Sequence, residues 1–157
     1  MSKSVDRVRA AAAKCGLAID ICRFGQSTRT AQEAAEQCGC LVDQIVKSLI
    51  FESADSGTLV LFLVPGNHRL DLKRAATAFG ETVKRADPDL VRERTGFAIG
   101  GVSPLGSLEP MPVFAAPELL VHATVWAAAG AHDAVFEVAP SALIAAAKAT
   151  VADISGE

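Results

Sequence analysis

The sequence predicts an α+β domain with a mixed sheet, and three observations carry that prediction. Helical and strand-like periodicities are interspersed along the chain instead of falling into separate blocks. Two apolar runs, 45–51 and 58–64, are joined through Asp55-Ser56-Gly57, a hairpin turn signal. Several further strand pairs have connections too short for a crossover helix, which forces them antiparallel. A chain of 157 residues fits one domain, 1–157. A domain of that size buries roughly 68–70% of its unfolded surface and needs no staples.

Each element has its own signal. Residues 4–14 carry Val5, Val8, Ala11 and Ala12 at helical spacing, and Gly16 supplies the stop. Leu17, Ile19 and Ile21 alternate, predicting a strand over 17–24 that ends at Phe24, with a polar loop over 25–29. Thr30-Ala31-Gln32-Glu33 fits a capping box for a helix that ends near Cys38, before Gly39. The run 45–51 is apolar on both faces apart from Lys47 and Ser48, so it reads as an interior strand. Pro65-Gly66-Asn67 breaks the second hairpin strand.

Asp71 can cap a helix through Phe79 that Gly80 stops, and 82–85 is a short strand candidate. Asp87-Pro88 opens a helix that Gly96 ends. Strands are expected at 113–115, 123–126 and 135–138, the last two joined by a turn over 130–133. Pro140 opens an alanine-rich helix to about Lys148.

Composition excludes several classes. Apolar residues make up 50% and charged residues 21%, a globular balance that argues against disorder. No uncharged apolar run is long enough for a membrane span, and the opening Ser4-Val5-Asp6-Arg7-Val8-Arg9 is no signal peptide, so a cytoplasmic protein is expected. Cys15, Cys22, Cys38 and Cys40 form no C-x-x-C pair, and no histidine stands at zinc-finger spacing, so small buried thiols are expected. The net charge of −3 excludes a generally basic nucleic-acid coat. Between Arg69 and Arg94, however, seven basic residues stand against five acidic ones, either as a solvated helix face or as a phosphate-contacting rim.

Two features could carry chemistry. In Phe97-Ala98-Ile99-Gly100-Gly101-Val102-Ser103-Pro104-Leu105-Gly106, three apolar-leaning residues run into a glycine pair, and a proline fixes the exit. That pattern predicts a strand ending in a rigid loop with exposed N–H groups and one hydroxyl, a cradle for a carbonyl oxygen or oxyanion; an ordinary tight turn has the same composition. Lys47 is costly to bury among Val46, Leu49 and Ile50. Its parity groups it with Ile45, Leu49 and Phe51, with Ser48 on the opposite face. Either its stem snorkels to the strand end or its ammonium holds a phosphate or carboxylate.

The histidines form no evident constellation: His68 lies in a loop, His122 precedes a strand, and His132-Asp133 lies in a turn. Each reads as a surface residue. No metalloprotease, P-loop, nucleophile-elbow or dinucleotide motif is present, and Ser103 has no base predictable from sequence.

Three ordered segments resemble the YbaK/ProX family. They are Ile45-Val46-Lys47-Ser48-Leu49, then Gly66-Asn67-His68-Arg69-Leu70-Asp71-Leu72-Lys73-Arg74-Ala75-Ala76, then the stretch from Gly96-Phe97 to Gly106. The family comprises stand-alone relatives of the editing domain inserted in bacterial prolyl-tRNA synthetases, and the likeness spans residues 5–146. The resemblance implies a curved, mostly antiparallel sheet flanked by helices and an aminoacyl-tRNA deacylase acting on mischarged tRNA, above all tRNA(Pro) carrying Ala, Cys, Ser or a similar small residue. It implies no metal or other cofactor, no membrane and no DNA, with prolyl-tRNA synthetase as a further candidate partner.

By the same resemblance Lys47 anchors the tRNA 3′ end, and the loop Gly100, Gly101, Val102, Ser103 and Pro104 positions the ester carbonyl. Phe24, Ser48, His68, His132 and Asp133 are the expected substrate-binding residues. Ser48 stands where relatives often have Thr or Asn. Val135 falls where the cysteine-specific branch has an acidic residue, so the acyl group is left open. The rival readings are a non-catalytic module that binds aminoacyl-tRNA or a synthetase, and a hydrolase of another small ester or amide.

Overall fold

The structure, a computed structural model, describes residues 3–25 and 30–156. Helix α1 (Lys3–Lys14) leads through β1 (Ile21–Arg23) to α2 (Ala31–Cys38) and a 3-10 turn at Val42–Gln44. The hairpin β2 (Val46–Ser53) and β3 (Leu59–Pro65) follows, then β4 (Arg69–Leu70), α3 (Leu72–Phe79), β5 (Val83–Arg85) and α4 (Pro88–Thr95). After the glycine-proline loop come β6 (Val113–Ala115), a 3-10 turn at Pro117–Val121, β7 (Val125–Ala128), β8 (Ala134–Val138), α5 (Pro140–Ala147), β9 (Thr150–Val151) and β10 (Ser155–Gly156).

The helix ends follow the expected chemistry. Thr30 Oγ1 accepts from Glu33 N, and Asp71 accepts from the amides of Lys73 and Arg74. Asp87 does the same for Asp89 N with Pro88 beside it, and Gly39, Gly80 and Gly96 each take the left-handed conformation that ends a helix.

A five-stranded sheet has the order β5-β2-β3-β6-β9, and a three-stranded one the order β1-β8-β7; β4 and β10 form a separate pair. The β2–β3 hairpin and the β5–β2 pair are antiparallel, while β6 runs parallel to β3 and to β9. This is the α+β arrangement expected, mixed and mostly antiparallel.

Every residue of β3 is buried, because apolar layers cover both of its faces. On one face Leu61 and Leu63 pack with Val5, Val8 and Ala12 of α1, with Phe97, and with Val125 and Phe136 of the smaller sheet. On the other, Val60, Phe62 and Val64 meet Ala75 of α3, and Phe62 stacks on Phe114 at 5.8 Å between centroids. Burying side chains of this kind contributes about 1.5–3 kcal/mol each.

Four expectations are corrected. The strand expected over 17–24 contracts to β1, since only Ile21, Cys22 and Arg23 find partners on β8; Leu17 and Ile19 keep their inward parity without a ladder. The run 45–51 is not interior along its whole length. β5 covers its outer edge only at Phe51, Glu52 and Ser53, leaving that edge of β2 open over the preceding residues. Residues 97–99 form no strand: the chain leaves Gly96 and turns at once, with Gly101 N donating to Ala98 O at 2.9 Å.

The fourth correction concerns the thiols, none of which is fully buried. Cys15 and Cys22 are exposed, Cys38 and Cys40 half-buried. Burial, reinforced by the neighbouring Cys40 and Cys22, pushes the Cys38 thiol up to about 12, which keeps it protonated and unreactive at neutral pH. The loop expected over 25–29 lies outside the described residues apart from Gly25.

Candidate functional site

The open edge of β2 is the floor of a cavity of about 610 Å³, within the range of small-molecule sites. Ile45, Val46, Lys47, Ser48 and Leu49 line that floor. One wall comes from α2 through Ala31 and Ala34 with the capping Thr30, and another from the β7–β8 hairpin through Trp126, Ala128, Ala131, His132, Ala134 and Val135. Ile99, Gly100 and Val102 close the remaining side. A single bridge between Ile45 and Trp126 joins the two sheets at the cavity's end. Among these lining residues there is no carboxylate.

The Lys47 ammonium donates to the backbone carbonyl of His68. Burial, and then the charge of Arg69, hold its pKa below the usual lysine value. Arg69 thus stands close enough to repel the Lys47 charge, and two cations so placed favour an anion. Of the other basic residues between 69 and 94, Arg74 pairs with Asp71 and Asp153, and Arg94 with Glu109. Lys73, Lys84, Arg85 and Arg92 are exposed.

The loop is held from below. Thr95 Oγ1 donates to Val91 O at 2.6 Å and accepts from Phe97 N at 3.1 Å, ending α4 and fixing the loop's first step. Arg7 of α1 bridges both loop ends, its Nη2 donating to Gly96 O at 2.7 Å and its Nε to Gly106 O at 3.2 Å. The same guanidinium lies 5.3 Å from the centre of the buried Phe97 ring. Ser4, one turn earlier, donates to Gly130 O at 2.6 Å and so fixes the β7–β8 turn. One helix thus fixes both the glycine-proline loop and the β7–β8 turn beside the cavity.

Within the loop, Gly100 has φ +98°, and Gly101 leaves no room for a Cβ, which would stand 2.9 Å from the Ala131 backbone. The amides of Gly100 and Val102 find no acceptor among the described residues, and both residues line the cavity. They are the free donors an oxyanion cradle needs. The Gly101 amide is spent on Ala98 O.

Ser103 departs from expectation. It is fully buried, and its Oγ accepts from Leu105 N at 3.2 Å, so the loop presents amides but no hydroxyl. Ser103 and Pro104 shape the loop from beneath and do not line the cavity.

Of the expected substrate-binding residues, Ser48 and His132 line the cavity, whereas Phe24, His68 and Asp133 do not. Ser48 Oγ is buried and, among the described residues, lacks a hydrogen-bond partner. The amide of Phe24 donates to Asp133 O, while the Asp133 carboxylate accepts from Arg23, so these residues tie β1 to the β7–β8 turn. His68 contributes its carbonyl to Lys47, and its ring turns to Ser155.

Sequence reading missed the alanines of the cavity wall and Trp126. Alanines give no chemical signal, and only the bridge between the two sheets brings Trp126 to the site.

With that geometry in view, comparison with known proteins is informative. Residues 26–146 match a sequence model of the aminoacyl-tRNA editing domain. The chain is 32% identical over 124 residues to YwhH of Bacillus subtilis, a protein without a characterised function, covering 79% of this chain and 78% of that one. It is 30% identical over 127 residues to EbsC of Enterococcus faecalis, named as a candidate Cys-tRNA(Pro)/Cys-tRNA(Cys) deacylase, with coverage of 80% and 77%. A solved structure described as a candidate trans-editing enzyme for prolyl-tRNA synthetase superposes with a TM-score of 0.92 at 43% identity, over 100% of this chain and 99% of that one.

Proposed function

Given that this chain belongs to the aminoacyl-tRNA editing domain family, whose activity is aminoacyl-tRNA deacylation, we propose that it acts in trans on mischarged tRNA(Pro). One observation carries the reading: a cation and two unengaged loop amides border the same cavity of about 610 Å³. Lys47, with Arg69 beside it, holds a phosphate of the tRNA 3′ end. The Gly100 and Val102 amides receive the ester carbonyl and stabilise the charge that develops on its oxygen.

Water attacks the carbonyl carbon; where a tRNA hydroxyl attacks first, it takes over the acyl group as a new ester, which water then hydrolyses. The bond from that carbon to the ribose oxygen breaks, and the released oxygen takes up a proton. The free amino acid and intact tRNA leave. The protein supplies position and electrostatics, with no side-chain nucleophile.

The cavity's chemistry narrows the acyl group. Apart from Thr30 and His132 its walls are alanine, valine, isoleucine and tryptophan, and the lining carries no carboxylate; by the family resemblance, Val135 stands where one branch has an acidic residue. Small uncharged side chains suit such a wall, and each methylene discriminates by only about 1–3 kcal/mol, which makes the preference broad. Deacylation of Ala-, Cys-, Ser- and Thr-charged tRNA(Pro), with Pro-tRNA(Pro) as the control, tests the proposal. Turnover of at least one non-cognate ester with the cognate ester spared is expected. No turnover of any of them, with the protein folded, would overturn it.

A further inference from the structure

A hydrogen-bonded chain outside the cavity ends at the lysine that borders it. The His68 ring nitrogen Nδ1 lies 3.1 Å from Ser155 Oγ, and Ser155 Oγ donates to Glu118 Oε1 at 2.9 Å. A serine hydroxyl has one proton. With that proton committed to Glu118, His68 Nδ1 must carry its own and donate to Ser155. The residue between them is 5% exposed.

The main chain repeats the attachment. Ser155 and Gly156 pair with Leu70 and Arg69, Asp71 N donates to Ile154 O at 2.8 Å, and Arg74 Nη1 donates to Ser155 O at 2.9 Å. Glu118 is supplied by the 3-10 turn at Pro117–Val121, which Leu119 anchors in the core. The segment 65–71 would otherwise be a short connection between β3 and α3. It is tied instead to β10 and, through Ser155, to the 3-10 turn, and it carries the carbonyl that receives the Lys47 ammonium.

We infer that Ser155 and Glu118 are positioning residues of the deacylation site: through His68 they hold the backbone carbonyl that orients Lys47. The inference rests on the role proposed for Lys47. Lysine is a long, flexible cation, and a fixed carbonyl acceptor selects one of its many rotamers before the tRNA arrives. Ser155 touches neither cavity nor substrate, so its effect must pass through Lys47.

Two readouts test this, one of them independent of turnover. In the wild-type protein the Lys47 ammonium, held by a carbonyl, should give a slowly exchanging proton–nitrogen NMR signal. Ser155→Ala and Glu118→Ala should lose that signal, and Glu118→Gln, which keeps an oxygen acceptor, should regain it. Persistence of the signal in a folded Ser155→Ala protein overturns the inference.

For the mischarged tRNA(Pro) turned over fastest, Ser155→Ala should lower kcat/KM about tenfold or more, as expected when a catalytic group is displaced. It should cause no further loss in a Lys47→Ala background, whereas a merely structural defect would multiply the two losses. If Lys47→Ala is itself without effect, the role proposed for the lysine fails. If Lys47→Ala disables the protein and Ser155→Ala does not, only the present inference fails.

Discussion

Lys47 and Gly100, on separate elements and far apart in the chain, line one cavity. Neither position alone distinguishes an editing site from a sheet edge and a tight turn. Their convergence on one cavity supports the proposed site, because an ester placed between them would have a cation toward its phosphate and loop amides beside its carbonyl.

Lys47 should serve activity at the expense of stability. Its folded pKa lies below the ordinary lysine value, chiefly through burial. A depressed value means that the unfolded chain binds the proton more tightly, so the charged lysine costs stability at neutral pH. That cost disappears as pH rises through the folded pKa towards the unfolded one. Lys47→Met is expected to melt at or above the wild-type temperature at pH 7 while losing at least about a hundredfold in deacylation, the scale of a lost transition-state contact. Thermal melts beside single-turnover assays check both; a lower melting temperature contradicts the first half.

The two loop glycines should fail differently. A Cβ at Gly100 meets open space but must sit at φ +98°, so Gly100→Ala is expected to cost about 1–2 kcal/mol of backbone strain. A Cβ at Gly101 collides with the Ala131 backbone. Gly101→Ala should therefore push the loop off the β7–β8 turn and lose more activity for the same alanine. Denaturant midpoints and deacylation rates of the two variants make the comparison.

Arg7 should prove as important to the loop as any residue within it. Removing its guanidinium leaves Gly96 O and Gly106 O without their donor, and each partner left unsatisfied typically costs about 1–3 kcal/mol. Arg7→Lys cannot span both carbonyls and should fall between wild type and Arg7→Ala. Hydrogen exchange at Gly101 and Leu105, whose amides are bonded to Ala98 O and Ser103 Oγ, reports the loop directly: faster exchange in Arg7→Ala is expected, and unchanged exchange would remove the clamp from the account.

Narrowing the cavity should change which acyl groups are accepted. Ala128 lies on its wall, and Ala128→Val is expected to slow Thr- and Ser-tRNA(Pro) more than Ala-tRNA(Pro), by a factor set by one or two methyl groups. Equal slowing of all three would mean that the wall does not meet the acyl side chain.

Much of this was legible before any coordinates. Asp71, Asp87, Gly80 and Gly96 announced α3 and α4 because caps and stops are local chemistry, and Asp55-Ser56-Gly57 announced the β2–β3 hairpin. Strands β4, β9 and β10 were invisible, since two residues carry no period and their pairing depends on distant chain. Lys47 and the glycine loop stood out by residue type. The burial of Ser103, the spent amide of Gly101 and the clamp from Arg7 did not, because each is set by a neighbour that sequence cannot place.

The most direct measurement titrates the protein with an aminoacyl-adenosine analogue carrying an amide in place of the ester, following the NMR signals of the Gly100 and Val102 amides and of the Lys47 side chain together. All three should shift along one binding curve, with a single dissociation constant, and a Lys47→Met variant should bind the 5′-phosphorylated analogue more weakly. Shifts confined to the lysine or to the loop, or following separate curves, would contradict a shared site.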